Sequence, residues 1–182
     1  MSEAEPYYRI VADGFTTRVA GIGPDGWFVT TPCSDWTVAD LVGHVITTHL
    51  RVLATLDGTD PVDVDPKSDL LPQWRAATGA VLEALGDEVR ASKTMSGMFG
   101  EQTFASLVGR LVCSDTLLHT WDLARATGQD ERLDLDAVAR ALEALTPLDE
   151  GLRRPGGFAP RIVPAAGADV QTQLLNFCGR AA

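Results

Sequence analysis

The run TFASLVGRLVCSDTLLHTWDLARATG, Thr103 to Gly128, decides the fold. Phe104, Leu107, Val108, Leu111 and Val112 recur at three- and four-residue steps, and Leu118 and Leu123 extend the apolar character. That spacing predicts one long helix from Thr103 to Thr127. Gly128 is placed to close it in the left-handed conformation. A helix this long and this apolar is expected at the centre of the molecule.

Outward from it, other segments read as helices. Glu5 to Ala20 puts Tyr8, Val11, Ala12, Phe15 and Val19 on one face. Thr37-Val38-Ala39-Asp40 has the form of a capping box, and it opens a helix that runs to Gly58. Trp36 before the cap and Leu41 after it stand at the staple positions. A third helix is expected from Asp69 to Gly86 and another from Asp136 to Leu145, with a short last one over Val170 to Cys178. Lys93 to Gly100 reads equally as a loop or a short extended piece. Trp27 to Trp36 is expected as a loop, since Pro32, Ser34 and Asp35 argue against a strand. Asp and Pro make Thr59 to Ser68 a surface loop. Gly156, Gly157, Pro160 and Pro164 make the stretch before the last helix irregular. Helices without convincing strands predict an all-α bundle, and a length of 182 residues suggests one domain, 1–182.

The chain carries a net charge of -10, which disfavours nucleic acid and anionic membranes as partners. No apolar run reaches the roughly 20 residues that span a bilayer. Cys33, Cys113 and Cys178 are widely spaced, and three cysteines without a pattern fit a reducing compartment. The N-terminal residues are polar and acidic, unlike a signal peptide. The expectation is a soluble cytoplasmic protein, with a homodimer open to it.

The chain has three histidines, His44, His49 and His119. Asp115 and His119 are four apart and share a helix face. His44, on another helix, can supply a third donor to one divalent metal, as bundle cores do. Imidazole and carboxylate together suit Zn²⁺, Fe²⁺ or Ni²⁺. An Asp and a His at this spacing equally describe a surface pair, or a buried pair that locks two helices. His49 points away from His44 and reads as a histidine of the core edge or surface. Asp40 reads as the capping acid, with contact to His44 as the alternative. Asp122 can orient His119 through a hydrogen bond or act as a fourth ligand. Cys113 reads as a buried structural thiol. Cys33 can line a pocket, but no sequence neighbour activates it. Ser34 and Ser114 lack the strand–turn–helix context of a nucleophile. Trp36, Trp74 and Trp121 read as core.

Two segments carry a resemblance: PCSDWTVADLVGH (Pro32 to His44) and SDTLLHTWDLARATG (Ser114 to Gly128). Together they resemble the metal-binding domain of mycothiol-dependent maleylpyruvate isomerase, within the DinB-like superfamily. The run HTWDLARATG (His119 to Gly128) and the tail LLNFCGR (Leu174 to Arg180) resemble an uncharacterised single-domain branch of that family, and the resemblance covers nearly the whole chain. The resemblance implies a DinB-like four-helix bundle, here with an additional C-terminal helix and irregular tail. It implies metal ligation by His44, Asp115 and His119, with zinc the leading ion and nickel or iron the alternatives. It also implies mycothiol as a cosubstrate. Two departures matter. The isomerase has Glu where this chain has Asp115. It also carries a further domain that Pro155 to Arg180 are too few and too irregular to replace, so maleylpyruvate isomerisation is not expected to transfer.

The expected function is a metal- and thiol-dependent transferase or isomerase acting on a small electrophile. Arg125 is the candidate to receive the thiol's polar groups, although it lies far round the helix from His119. The alternatives are a metal-dependent hydrolase, with Asp122 or Asp40 as base, and a non-catalytic binding bundle.

Overall fold

A computed structural model describes residues 3–33, 36–97, 100–153 and 157–181. Helix α1 (Ala4–Ala20) buries Tyr7, Tyr8, Val11, Ala12, Phe15 and Val19. Helix α2 (Val38–Asp57) starts where the capping box places it. The Thr37 N–H donates to Asp40 Oδ2 at 2.9 Å, and the Asp40 N–H donates to Thr37 Oγ1 at 3.3 Å. Gly58 ends the helix at φ 70°, a left-handed conformation that costs glycine little. Helix α3 (Leu70–Gly86) buries Leu70, Trp74, Ala77, Val81, Ala84 and Leu85.

After α3 come a short α4 (Glu88–Ser92), capped by the Asp87 carboxylate, and a two-stranded antiparallel hairpin. Its strands are β1 (Thr94–Gly97) and β2 (Gly100–Thr103), with Thr94 opposite Thr103 and Gly97 opposite Gly100. The stretch that reads as loop or extended piece is therefore extended where it is described; Met98 and Phe99 lie outside the described residues.

The long helix is not uniform. It consists of α5 (Phe104–Leu107), a π turn over Val108–Val112, and α6 (Cys113–Thr127), which Gly128 closes at φ 68°. A π turn inserts one extra residue into the ladder. Side chains before and after it therefore leave a common face. Phe104, Val108 and Val112 are buried, whereas Leu107 and Leu111 are only half-buried and line a cleft. A single α-helical phase cannot anticipate that break.

Helices α1, α6, α2 and α3 form the bundle: α1 packs on α6 and α3, and α2 packs on the same two. One hydrophobic core joins them, with Trp74, Trp121, Tyr8, Phe15, Phe104 and Leu118 among its fully buried members. Helix α7 (Leu135–Leu145) packs against α6, and α9 (Val170–Phe177) packs on α7. A short α8 (Asp149–Leu152) lies between α7 and the irregular approach to α9. The all-α architecture agrees with the sequence reading. Among the described residues no helix is long and apolar enough to cross a membrane.

Candidate metal centre

The adjacency of α2 and α6 brings His44 to Asp115 and His119. Asp115 Oδ1 lies 3.6 Å from His44 Nε2 and 3.5 Å from His119 Nε2. One donor atom from each residue falls within 4.8 Å of the other two. Two donors about 2.1 Å from one tetrahedral ion stand about 3.4 Å apart, so these separations fit a shared metal. Asp115 Oδ2 is buried and has no hydrogen-bond partner among the described residues. A buried carboxylate oxygen without a partner is costly and calls for a cation or donor. Trp36 lies on His44, with ring centroids 4.7 Å apart, and 6.0 Å from His119. It is thus a half-buried wall of the site rather than a core residue.

The electrostatics follow from this packing. Burial pushes the Asp115 carboxyl up, but the imidazoles of His119 and His44 hold it well below the usual carboxylate range. Burial opposes a charged His119, yet Asp115, Asp122 and Cys33 around it raise its pKa well above the ordinary value.

Behind His119 lies a second polar cluster. Asp122, fully buried, accepts from His119 Nδ1 at 3.0 Å. The Cys33 thiol donates to Asp122 Oδ2 at 3.3 Å and lies 3.8 Å from His119 Nδ1. Arg180 donates to both oxygens of Asp122, through Nε at 2.8 Å and Nη2 at 2.6 Å. Burial raises the Asp122 carboxyl, and Arg180 and His119 more than reverse it. Cys33, His119 and Asp122 have metal-ligand spacing of their own. The Arg180 guanidinium already supplies the positive charge there, so the donor chemistry favours the His44 side for an ion.

Several sequence readings change. His49 is not at the core edge or surface: it is fully buried, with Nδ1 2.8 Å from the Val45 carbonyl. Helix α2 has apolar neighbours on both sides, so a residue five past His44 still faces protein. Arg125 does not reach the site. It pairs with Glu131 at 2.8 Å, lies 4.2 Å over the Trp121 ring, and donates to the Ala181 carbonyl. Asp40 is the capping acid and stands outside the donor cluster. Cys33 joins the cluster only through folding, because its neighbours come from α6 and the tail. Spacing along the chain does not point to Arg180; the Gly179-Arg180 pair of the tail is its trace in the sequence. Trp74 and Trp121 are core, and Cys113 is buried with its thiol pKa pushed up by burial. Ser114 donates to the Arg110 carbonyl at 2.6 Å, and Ser34 lies outside the described residues.

A family model described as "Mycothiol maleylpyruvate isomerase N-terminal domain" matches residues 8–124. Two uncharacterised proteins of Mycobacterium tuberculosis, one from each of two strains, are each 33% identical over 176 residues. The alignment covers 92% of this chain and 92% of each relative. No solved structure matches. The matched residues include His44, Asp115, His119 and Asp122, and the chain belongs to the mycothiol maleylpyruvate isomerase N-terminal domain family.

Proposed function

We propose that this chain binds one divalent metal through His44, Asp115 and His119, and uses it with a low-molecular-weight thiol such as mycothiol to transform a small electrophile. The observation that carries the reading is the convergence of three donors from two helices on one point, with a buried Asp115 oxygen left without a partner among the described residues. When bound there, the metal lowers the pKa of a coordinated thiol, which supplies a thiolate at neutral pH.

The residues around the donors divide the remaining work. Trp36 covers one side of His44 and limits its solvation. A cleft of about 420 Å³ reaches Asp115 and is walled by Val52, Met95, Leu107, Leu111, Val112 and Phe158, among others. Among the described residues its one arginine, Arg51, is paired with Asp63 at 2.7 Å. The apolar members of that lining suit a largely apolar body. The hydrolase alternative loses its candidate bases: Asp40 is engaged in its capping box, and Asp122 is sealed behind Arg180.

Metal content by elemental mass spectrometry, beside His44→Ala and His119→Ala, tests the proposal. About one metal per chain, lost in both variants, is expected. Mycothiol should then shift the absorption of the Co²⁺-loaded protein. No uptake of Zn²⁺, Ni²⁺ or Co²⁺ by the intact chain would leave a helical binding protein.

A further inference from the structure

The tail Leu174 to Arg180 has no part in the donor set, yet it ends against it. Helix α9 closes with Gly179 at φ 80°. The Gly179 N–H donates to the Asn176 carbonyl at 3.1 Å, and the Arg180 N–H donates to the Leu175 carbonyl at 2.8 Å. This pair of bonds is a Schellman turn, which reverses the chain at a helix end and favours glycine at its left-handed position. Gly179 is required twice over. A Cβ there would meet Ala159 Cβ at 2.6 Å and its carbonyl oxygen at 2.8 Å. Two further arginines tie the tail down. Arg153 donates to the Phe177 carbonyl at 2.7 Å, and Arg125, from α6, donates to the Ala181 carbonyl at 2.8 Å.

We infer that Arg180 is a positioning residue of the metal centre, delivered by this turn and acting through Asp122 on His119. Its planar fork engages both Asp122 oxygens, which orients the carboxylate. Asp122 Oδ2 then accepts the His119 Nδ1–H at 3.0 Å. With the proton held on Nδ1, the Nε2 side of the ring faces Asp115 and His44. A carboxylate behind a ligand imidazole sets its tautomer, its angle and its basicity. Arg180 supports Asp122 in turn, because a fully buried carboxylate without a cation would be protonated or would swing away. The Gly-Arg ending is thus part of the site's construction.

The inference rests on the metal reading for its consequence, but not for its geometry, and the test separates the two. Arg180→Ala, Arg180→Lys, Gly179→Ala and Leu175→Ala are compared with the unaltered chain. Leu175 is fully buried on α9 and touches neither Asp122 nor His119 through any polar group. It therefore controls for lost stability of the tail. In the metal-free protein, the Nδ1–H proton of His119 is followed by NMR as a signal protected from exchange. In the metal-loaded protein, Co²⁺ affinity is measured against a competing chelator. Arg180→Ala and Gly179→Ala should lose the protected proton and weaken Co²⁺ binding about 10- to 100-fold. Arg180→Lys should restore part of both, and Leu175→Ala should lower the melting temperature while leaving both unchanged. Unaltered affinity and an unaltered His119 proton in Arg180→Ala would overturn the inference. So would an equal loss in Leu175→Ala. If the unaltered chain takes up no metal, the proposed function fails, and the His119 proton alone decides whether Arg180 positions the ring.

Discussion

His49 shows what burial does to a single histidine. It lies between the rings of Tyr8 and Trp74, at centroid distances of 5.7 and 4.9 Å, and its Nε2 has no hydrogen-bond partner among the described residues. Burial pushes its pKa down to about 4, against smaller opposing effects of the Val45 carbonyl and Asp115. The unfolded chain therefore binds a proton near the ordinary value of about 6.5, where the folded chain does not. The stability His49 contributes is whole above about pH 6.5 and declines as pH falls toward 4, by roughly 3 kcal/mol over the full window. His49→Phe should flatten that acid limb, read from denaturant midpoints between pH 7 and 4.5; an unchanged slope would count against the assignment. Asp115 makes the opposite case, a group defined by its partners. Asp115→Asn keeps the shape and removes the charge, so metal content should drop. Asp115→Glu keeps the charge on a longer side chain and should retain metal.

At the scale of elements, the capping box separates structure from chemistry. Asp40 and Thr37 satisfy two backbone donors at the start of α2. Asp40→Ala should cost about 1 kcal/mol of stability and leave metal content unchanged, which thermal denaturation and elemental mass spectrometry together can check. A loss of metal would return Asp40 to the site. The capping box was legible because its chemistry spans four consecutive residues. The π turn over Val108–Val112 was not, because those five residues are compatible with α-helix and only packing selects the wider turn. Its effect is on shape: Leu107 and Leu111 stay half-buried and line the cleft that reaches Asp115.

For the whole molecule, the donors come from α2 and α6, two neighbours of a four-helix ring. An ion held between them binds the folded state and not the unfolded one, so it stabilises by mass action. Saturation at about 100 times the dissociation constant should contribute about 2.7 kcal/mol. For a chain of this size that raises the melting temperature by roughly 5 to 10 °C. The shift should vanish in His44→Ala and His119→Ala. An equal rise in those variants would place the ion elsewhere.

The sequence by itself determined the helices that make the bundle and the pairing of Asp115 with His119, because both depend on spacing along one helix. It also carried the capping box and the glycines at 58 and 128, whose roles are set by their immediate neighbours. Only the tertiary structure decided what surrounds His119. Cys33 and Arg180 are separated from Asp122 by 89 and 58 residues. A loop and a tail reach one buried carboxylate because the core packs them there. No local pattern encodes that meeting, and the same holds for the burial of His49 between two aromatic rings. Periodicity reports which face of a helix is apolar; it does not report which side chains from other segments will press against that face.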